Sequence, residues 1–111
     1  MSLPLTVTTT VGAASGLHAR PASLFVQAAA RQPLPVRVAR PGQASVDARS
    51  LLSVMSLGAG HGETLELSVI GTETDSEDAQ GAQDRQVART VLDELAALLA
   101  TDLDAVVQAG R

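Results

Sequence analysis

The run Ser15-Gly16-Leu17-His18-Ala19-Arg20-Pro21-Ala22 puts an imidazole, a guanidinium and a helix-starting proline close together in the chain. Pro21 is costly inside a helix but welcome in its first turn, so the spacing predicts a helix that begins just after His18. The first amides of a helix lack intrahelical acceptors and carry the positive end of its dipole, which makes that end a natural phosphate site. A histidine placed there can carry a phosphoryl group on one ring nitrogen while the oxygens of the group meet backbone N–H donors. Arg20 would add a charge-assisted hydrogen bond. Gly16 would let the chain turn tightly and leave the imidazole open. One arginine and one helix end hold phosphate lightly compared with a glycine-rich loop, a lysine and magnesium, and the sequence contains no such loop. A light grip suits reversible transfer better than nucleotide hydrolysis. The same spacing also fits a histidine that merely caps or packs at a helix start, and spacing alone does not choose.

Other chemistries find less support. The chain has no cysteine, which excludes a disulfide framework and Cys-rich metal sites and fits a cytosolic setting. His61 has no clustered partners that would make it a metal ligand and reads as an exposed loop residue. The acidic run Glu73, Asp75, Glu77, Asp78 lacks the glycine and terminal glutamate spacing of a calcium loop and reads as a solvated connection. No metal and no cofactor is expected. The net charge is −4, no run of basic residues occurs, and Phe25 is the single aromatic residue, so nucleic acid is not expected as a partner. Met1-Ser2-Leu3-Pro4-Leu5 has no basic stretch followed by an apolar one, so no signal peptide is expected. Nor does any apolar stretch approach the roughly 20 residues of a membrane span.

The elements that must position His18 follow from periodicity. Leu3, Leu5, Val7, Thr9 and Val11 alternate with polar neighbours and predict a half-buried strand. Ala22, Phe25, Val26 and Ala29 form the apolar stripe of a helix over about 19–31, which Pro33 ends. Leu34, Val36 and Val38 suggest a second strand, paired through the Arg40-Pro41-Gly42-Gln43 turn with a short third one around Ala44 and Val46. Residues 50–57 read as a short helix that Asp47 or Ser50 would cap and Gly58 would stop. Leu65, Leu67 and Val69 give a fourth strand. Residues 71–83, polar and interrupted by Gly81, read mostly as loop. A last helix over about 84–100 carries the stripe Ala88, Val91, Leu92, Leu95 and Leu99. The 111 residues make one domain, 45% hydrophobic, packed mainly by Ala, Val and Leu. The order β-α-β-β-α-β-α with one-faced strands implies an α+β fold, an open-faced sandwich with three helices on one side of a four-stranded antiparallel sheet.

Two blocks carry a resemblance. Gly16-Leu17-His18-Ala19-Arg20-Pro21-Ala22 resembles, without gaps, the active-site signature of the HPr family, phosphocarriers of the bacterial phosphoenolpyruvate-dependent sugar phosphotransferase system. Arg49-Ser50-Leu51-Leu52-Ser53-Val54-Met55-Ser56-Leu57-Gly58 resembles the family's second signature, at the family's spacing from the first. The strand from Gly62 to Gly71 is a weaker third match. The resemblance covers about 3–99 and implies the same open-faced sandwich.

It implies a phosphohistidine at His18 Nδ1, with Arg20 stabilising the phosphoryl group and Ser15, Gly16 and Ala19 forming the turn and helix start around it. The protein would be a phosphoryl carrier rather than a free-standing enzyme. Enzyme I would be the donor and the IIA component of a sugar permease the acceptor. Ser50 matches a serine phosphorylated in some members by HPr kinase/phosphorylase; it is equally a helix cap. Ser23, Leu51, Leu52 and Met55 match the partner-docking patch, with Leu52 and Met55 favoured, since adjacent leucines on a helix are hard to bury together. Arg20 and Arg49 would meet the donor's acidic surface. The implied protein is a cytoplasmic monomer without membrane insertion. Two departures from the family are extra residues near 75–83 and an extension over 101–111. Alternatives are a carrier for another branch, nitrogen-related or serving dihydroxyacetone kinase, and a regulatory binding module acting through Ser50.

Overall fold

A computed structural model describes residues 5–69 and 79–103, the side chains of 79–84 excepted. The elements run β1 (Leu5–Thr10), α1 (Ala19–Ala30), β2 (Arg37–Ala39), β3 (Val46–Asp47), α2 (Leu51–Ser56), β4 (Thr64–Val69) and α3 (Ala79–Ala100). The four strands form one antiparallel sheet in the order β1-β4-β2-β3. Its register explains the one-sidedness of the strands. Val7 lies opposite Leu67, Leu67 opposite Val38, and Val38 opposite Val46, so one apolar row crosses the whole sheet. One residue along, Thr6, Ser68, Arg37 and Asp47 form a polar row, and alternation puts it on the other face.

The helices cover the apolar face. α3 packs on β1 and β4, and α1 lies against both α2 and α3. Phe25, the lone aromatic, is fully buried among Leu65, Leu67, Leu92, Leu95 and Leu99. Burying a side chain of this size contributes roughly 1.5–3 kcal/mol each. On α1 the buried face is Pro21, Ala22, Phe25, Ala28 and Ala29; Val26, expected on the stripe, is only half-buried. Thr9 faces inward on β1, and its half-buried hydroxyl is satisfied by donating to the Ala96 carbonyl at 2.8 Å.

The last helix starts earlier than its apolar stripe suggests. It begins at Ala79 rather than at residue 84, so 79–83 are helical and not loop. Ala79, Gln80, Ala82 and Gln83 favour helix, and adding residues to a formed helix is cheap compared with nucleating one, so the single Gly81 does not stop it. The remainder of the expected loop, 71–78, lies outside the described residues, as do 70 and 104–111. At the other end the stripe continues past the helix to Leu103, which is 1% exposed. No helix among the described residues is long and apolar enough to cross a membrane.

Candidate functional site

The histidine is positioned by a turn held from below. After β1, Val11 and Ala13 are buried, and the Gly16 amide donates back to the Ala13 carbonyl at 2.9 Å. Gly16 adopts φ +85°, and a Cβ there would stand 3.0 Å from both the Ala59 oxygen and the Gly60 Cα. Only glycine meets both requirements cheaply. Leu17 then buries its side chain and donates its amide to Ala59 at 2.9 Å. With Leu17 anchored inward, the next residue is turned outward, and His18 is exposed.

His18 is the N-cap of α1. Its backbone is extended, its carbonyl accepts the Ala22 amide at 2.9 Å, and its side chain makes no capping hydrogen bond. Instead, its Nε2 is hydrogen-bonded to the Ser15 hydroxyl. Pro21 has no amide proton and the Ala22 amide is used, so the amides of Ala19 and Arg20 are those left over by the helix. No acidic residue sits in the first turn to neutralise that end. Arg20 is exposed and makes no hydrogen bond or ion pair among the described residues. The residues of the first signature thus meet at a single exposed helix mouth.

The second signature forms α2. Ser50 is its N-cap; its oxygen accepts the Ser53 amide at 3.3 Å, and its hydroxyl donates to Ser53 Oγ at 3.0 Å. Of the two capping candidates it is therefore Ser50 that caps, while Asp47 accepts the Arg49 amide at 2.9 Å. Gly58, at φ +64°, ends this segment. Leu52 is 81% exposed and Leu51 38% exposed, whereas Met55 is half-buried against the core. Ser23 lies half-buried on the neighbouring α1, accepting from Gln27 Nε2 at 3.0 Å.

Arg49 does not join Arg20. Its guanidinium donates to the carbonyls of Ala29 at 3.5 Å and Gln32 at 3.2 Å, at the far end of α1. Arg20 stands in the first turn of α1 and Arg49 at its last, so most of the helix lies between them. Orphan carbonyls at a helix C-terminus attract a cation, and Arg49 serves them.

Two contacts at the turn before α1 carry no motif signal. His61 Nδ1 lies 3.2 Å from the Ala13 carbonyl, so this exposed ring reaches back onto the turn. Asp102 Oδ1 accepts the Ala14 amide at 3.2 Å. Both come from distant stretches of chain, and only the tertiary fold brings them in. Among the described residues no group of three His, Cys, Asp or Glu could hold a metal ion.

Residues 5–101 match the family described as PTS HPr component phosphorylation site. The chain is 43% identical over 94 residues to the phosphocarrier protein HPr of Streptomyces coelicolor, covering 85% of this chain and 86% of that one. It is 47% identical over 60 residues to the HPr of Pseudomonas aeruginosa, covering 54% of this chain and 67% of that one. The fold is similar to the crystal structure of a phosphocarrier protein HPr from Bacillus anthracis, with a TM-score of 0.67 at 28% identity, covering 88% of this chain and 99% of that one. With its sheet order, its exposed helix-mouth histidine and these likenesses, the chain belongs to the HPr family of phosphocarriers of the phosphotransferase system.

Proposed function

We propose that the protein accepts a phosphoryl group from phospho-Enzyme I on Nδ1 of His18 and passes it to the IIA component of a sugar permease, acting as a cytoplasmic monomer. The observation that carries this reading is an exposed imidazole at the N-cap of α1 whose ring bonds Ser15 rather than capping its own helix. When Nε2–H donates to Ser15 Oγ, the lone pair of the neutral ring lies on Nδ1, the tautomer needed for attack. The Nδ1–P bond forms as the bond from phosphorus to the donor's leaving atom breaks, and that atom keeps the electron pair. Onward transfer reverses the sequence, with Nδ1 regaining its lone pair. The Ala19 and Arg20 amides and the Arg20 guanidinium receive the phosphoryl oxygens. Because Pro21 removes a further amide donor, the group is held weakly enough to leave.

Leu52, with Leu51, Met55 and Ser23 beside it, supplies the docking patch: an exposed leucine on a short helix next to α1 suits a transient partner. Phosphorylation of Ser50 by an HPr kinase/phosphorylase would add charge next to this patch and oppose docking of Enzyme I. The combination of His18 with Arg20 favours a carrier over a purely regulatory module. A carrier for a nitrogen-related or dihydroxyacetone kinase branch would use the same site chemistry.

The test is incubation with Enzyme I and labelled phosphoenolpyruvate. The parent protein takes up an acid-labile label, and His18→Ala takes up none. Label retained by that variant overturns the assignment.

A further inference from the structure

The contacts of His61 and Asp102 fall on the same peptide group. The Ala13 carbonyl and the Ala14 amide belong to one peptide plane. The His61 ring meets its oxygen at 3.2 Å, and the Asp102 carboxylate accepts its N–H at 3.2 Å. A carbonyl can only accept, so His61 Nδ1 is the donor in that contact. The same oxygen also accepts the Gly16 amide at 2.9 Å, the bond that closes the acceptor turn. This plane therefore fixes the orientation of the turn that carries Ser15, and Ser15 holds His18 Nε2.

The two clamp residues come from opposite sides. His61 lies in the connection before β4, tied to the end of β1 by Gly62 N–H to the Val11 carbonyl at 2.8 Å and Val11 N–H to the Glu63 carbonyl at 2.9 Å. Arg40 fastens the ends of that connection, donating to the Leu57 carbonyl at 2.7 Å and to Glu63 Oε1 at 2.5 Å. Asp102 follows α3, whose Leu99 carbonyl accepts the Gly12 amide at 2.8 Å. Gly12 is packed so tightly there that a Cβ would fall 2.1 Å from the Ala100 oxygen. Each clamp arm thus stands on a rigid base.

We propose that His61 and Asp102 are positioning residues for phosphoryl transfer: by gripping both polar ends of the Ala13–Ala14 peptide they set the Ser15 hydroxyl and, through it, the tautomer and orientation of the His18 ring. Neither touches the phosphoryl group. This rests on His18 as the acceptor, and it gives a function to the first residues of the C-terminal extension. By accepting the Ala14 N–H, the Asp102 carboxylate polarises this amide and makes its oxygen a stronger acceptor for the His61 ring and the Gly16 amide. Losing either arm frees the peptide to rotate and lets His18 Nε2 leave Ser15.

The test uses the full chain with His61→Ala, His61→Asn, Asp102→Ala and Asp102→Asn. Asparagine at 61 places an N–H donor where Nδ1 stands, and asparagine at 102 keeps an acceptor oxygen, so both conservative variants retain the grip. ¹⁵N spectra of the His18 ring in the unphosphorylated protein are expected to shift toward a mixed tautomer in both alanine variants and to stay at the parent position in both asparagine variants. With Enzyme I, the alanine variants lose about five-fold in kcat with KM unchanged, the size of one hydrogen bond. Parent ring signals and parent kcat in both alanine variants would overturn the proposal, and so would equal losses in the alanine and asparagine variants. Should the parent protein itself accept no phosphoryl group, the carrier reading fails while the ring spectra still decide the clamp.

Discussion

Two helix starts in this fold are finished in opposite ways. At α2, Ser50 turns its oxygen onto the Ser53 amide and closes its own helix end. At α1, His18 occupies the same cap position but sends its ring to Ser15, and Pro21 replaces what would be another amide donor. One end is completed by the protein for stability. The other is left incomplete, with positive potential and no acidic side chain in the first turn. The cap residue of α1 leaves undone what the cap of α2 does.

The contrast can be broken most strongly at His18. His18→Ala should abolish labelling from Enzyme I while changing the unfolding free energy by less than about 0.5 kcal/mol, because an exposed ring that caps nothing holds little of the fold together. Next comes Arg20→Ala, expected to slow phosphoryl acceptance about ten-fold with an unchanged melting temperature; equal rates for variant and parent would remove Arg20 from the mechanism. Gly16→Ala should cost about 1–2 kcal/mol in denaturant unfolding, since alanine must adopt φ +85° and meet Ala59 and Gly60. Ser50 sharpens the comparison from the other side. Ser50→Ala should cost about 1 kcal/mol of stability and leave acceptance intact, whereas Ser50→Asp keeps the cap and weakens Enzyme I binding through charge alone. Smallest of all, Leu52→Ala should shift stability by less than about 0.5 kcal/mol, its effect appearing only as a raised KM for Enzyme I. Unaltered KM would take Leu52 out of the docking patch.

What could be read in advance depended on how locally each feature is determined. The start of α1 was legible because Pro21 and the Ala22, Phe25, Ala29 spacing fix it within one short segment. The element order followed from alternation, and the sheet register then turned Val7, Leu67, Val38 and Val46 into one buried row. The start of α3 was misjudged because Gly81 looks like a break, whereas extension of a long, well-packed helix absorbs its cost. The contacts of Arg49 stay hidden in the sequence for a different reason. Its neighbours in the chain are those of α2, but its guanidinium crosses to the carbonyls of Ala29 and Gln32, and no local pattern announces such a reach. The contacts of His61 and Asp102 are hidden in the same way: both residues are exposed, and only the fold places each against one peptide of the turn before α1.

The open helix end is tested most directly by amide NMR before and after phosphorylation. Loading His18 should move the Ala19 and Arg20 amide protons further downfield than any others, leave the Ser53 amide in place, and put the phosphorus on Nδ1 with Nε2 still protonated. Unmoved Ala19 and Arg20 amides, or phosphorus on Nε2, would contradict the account.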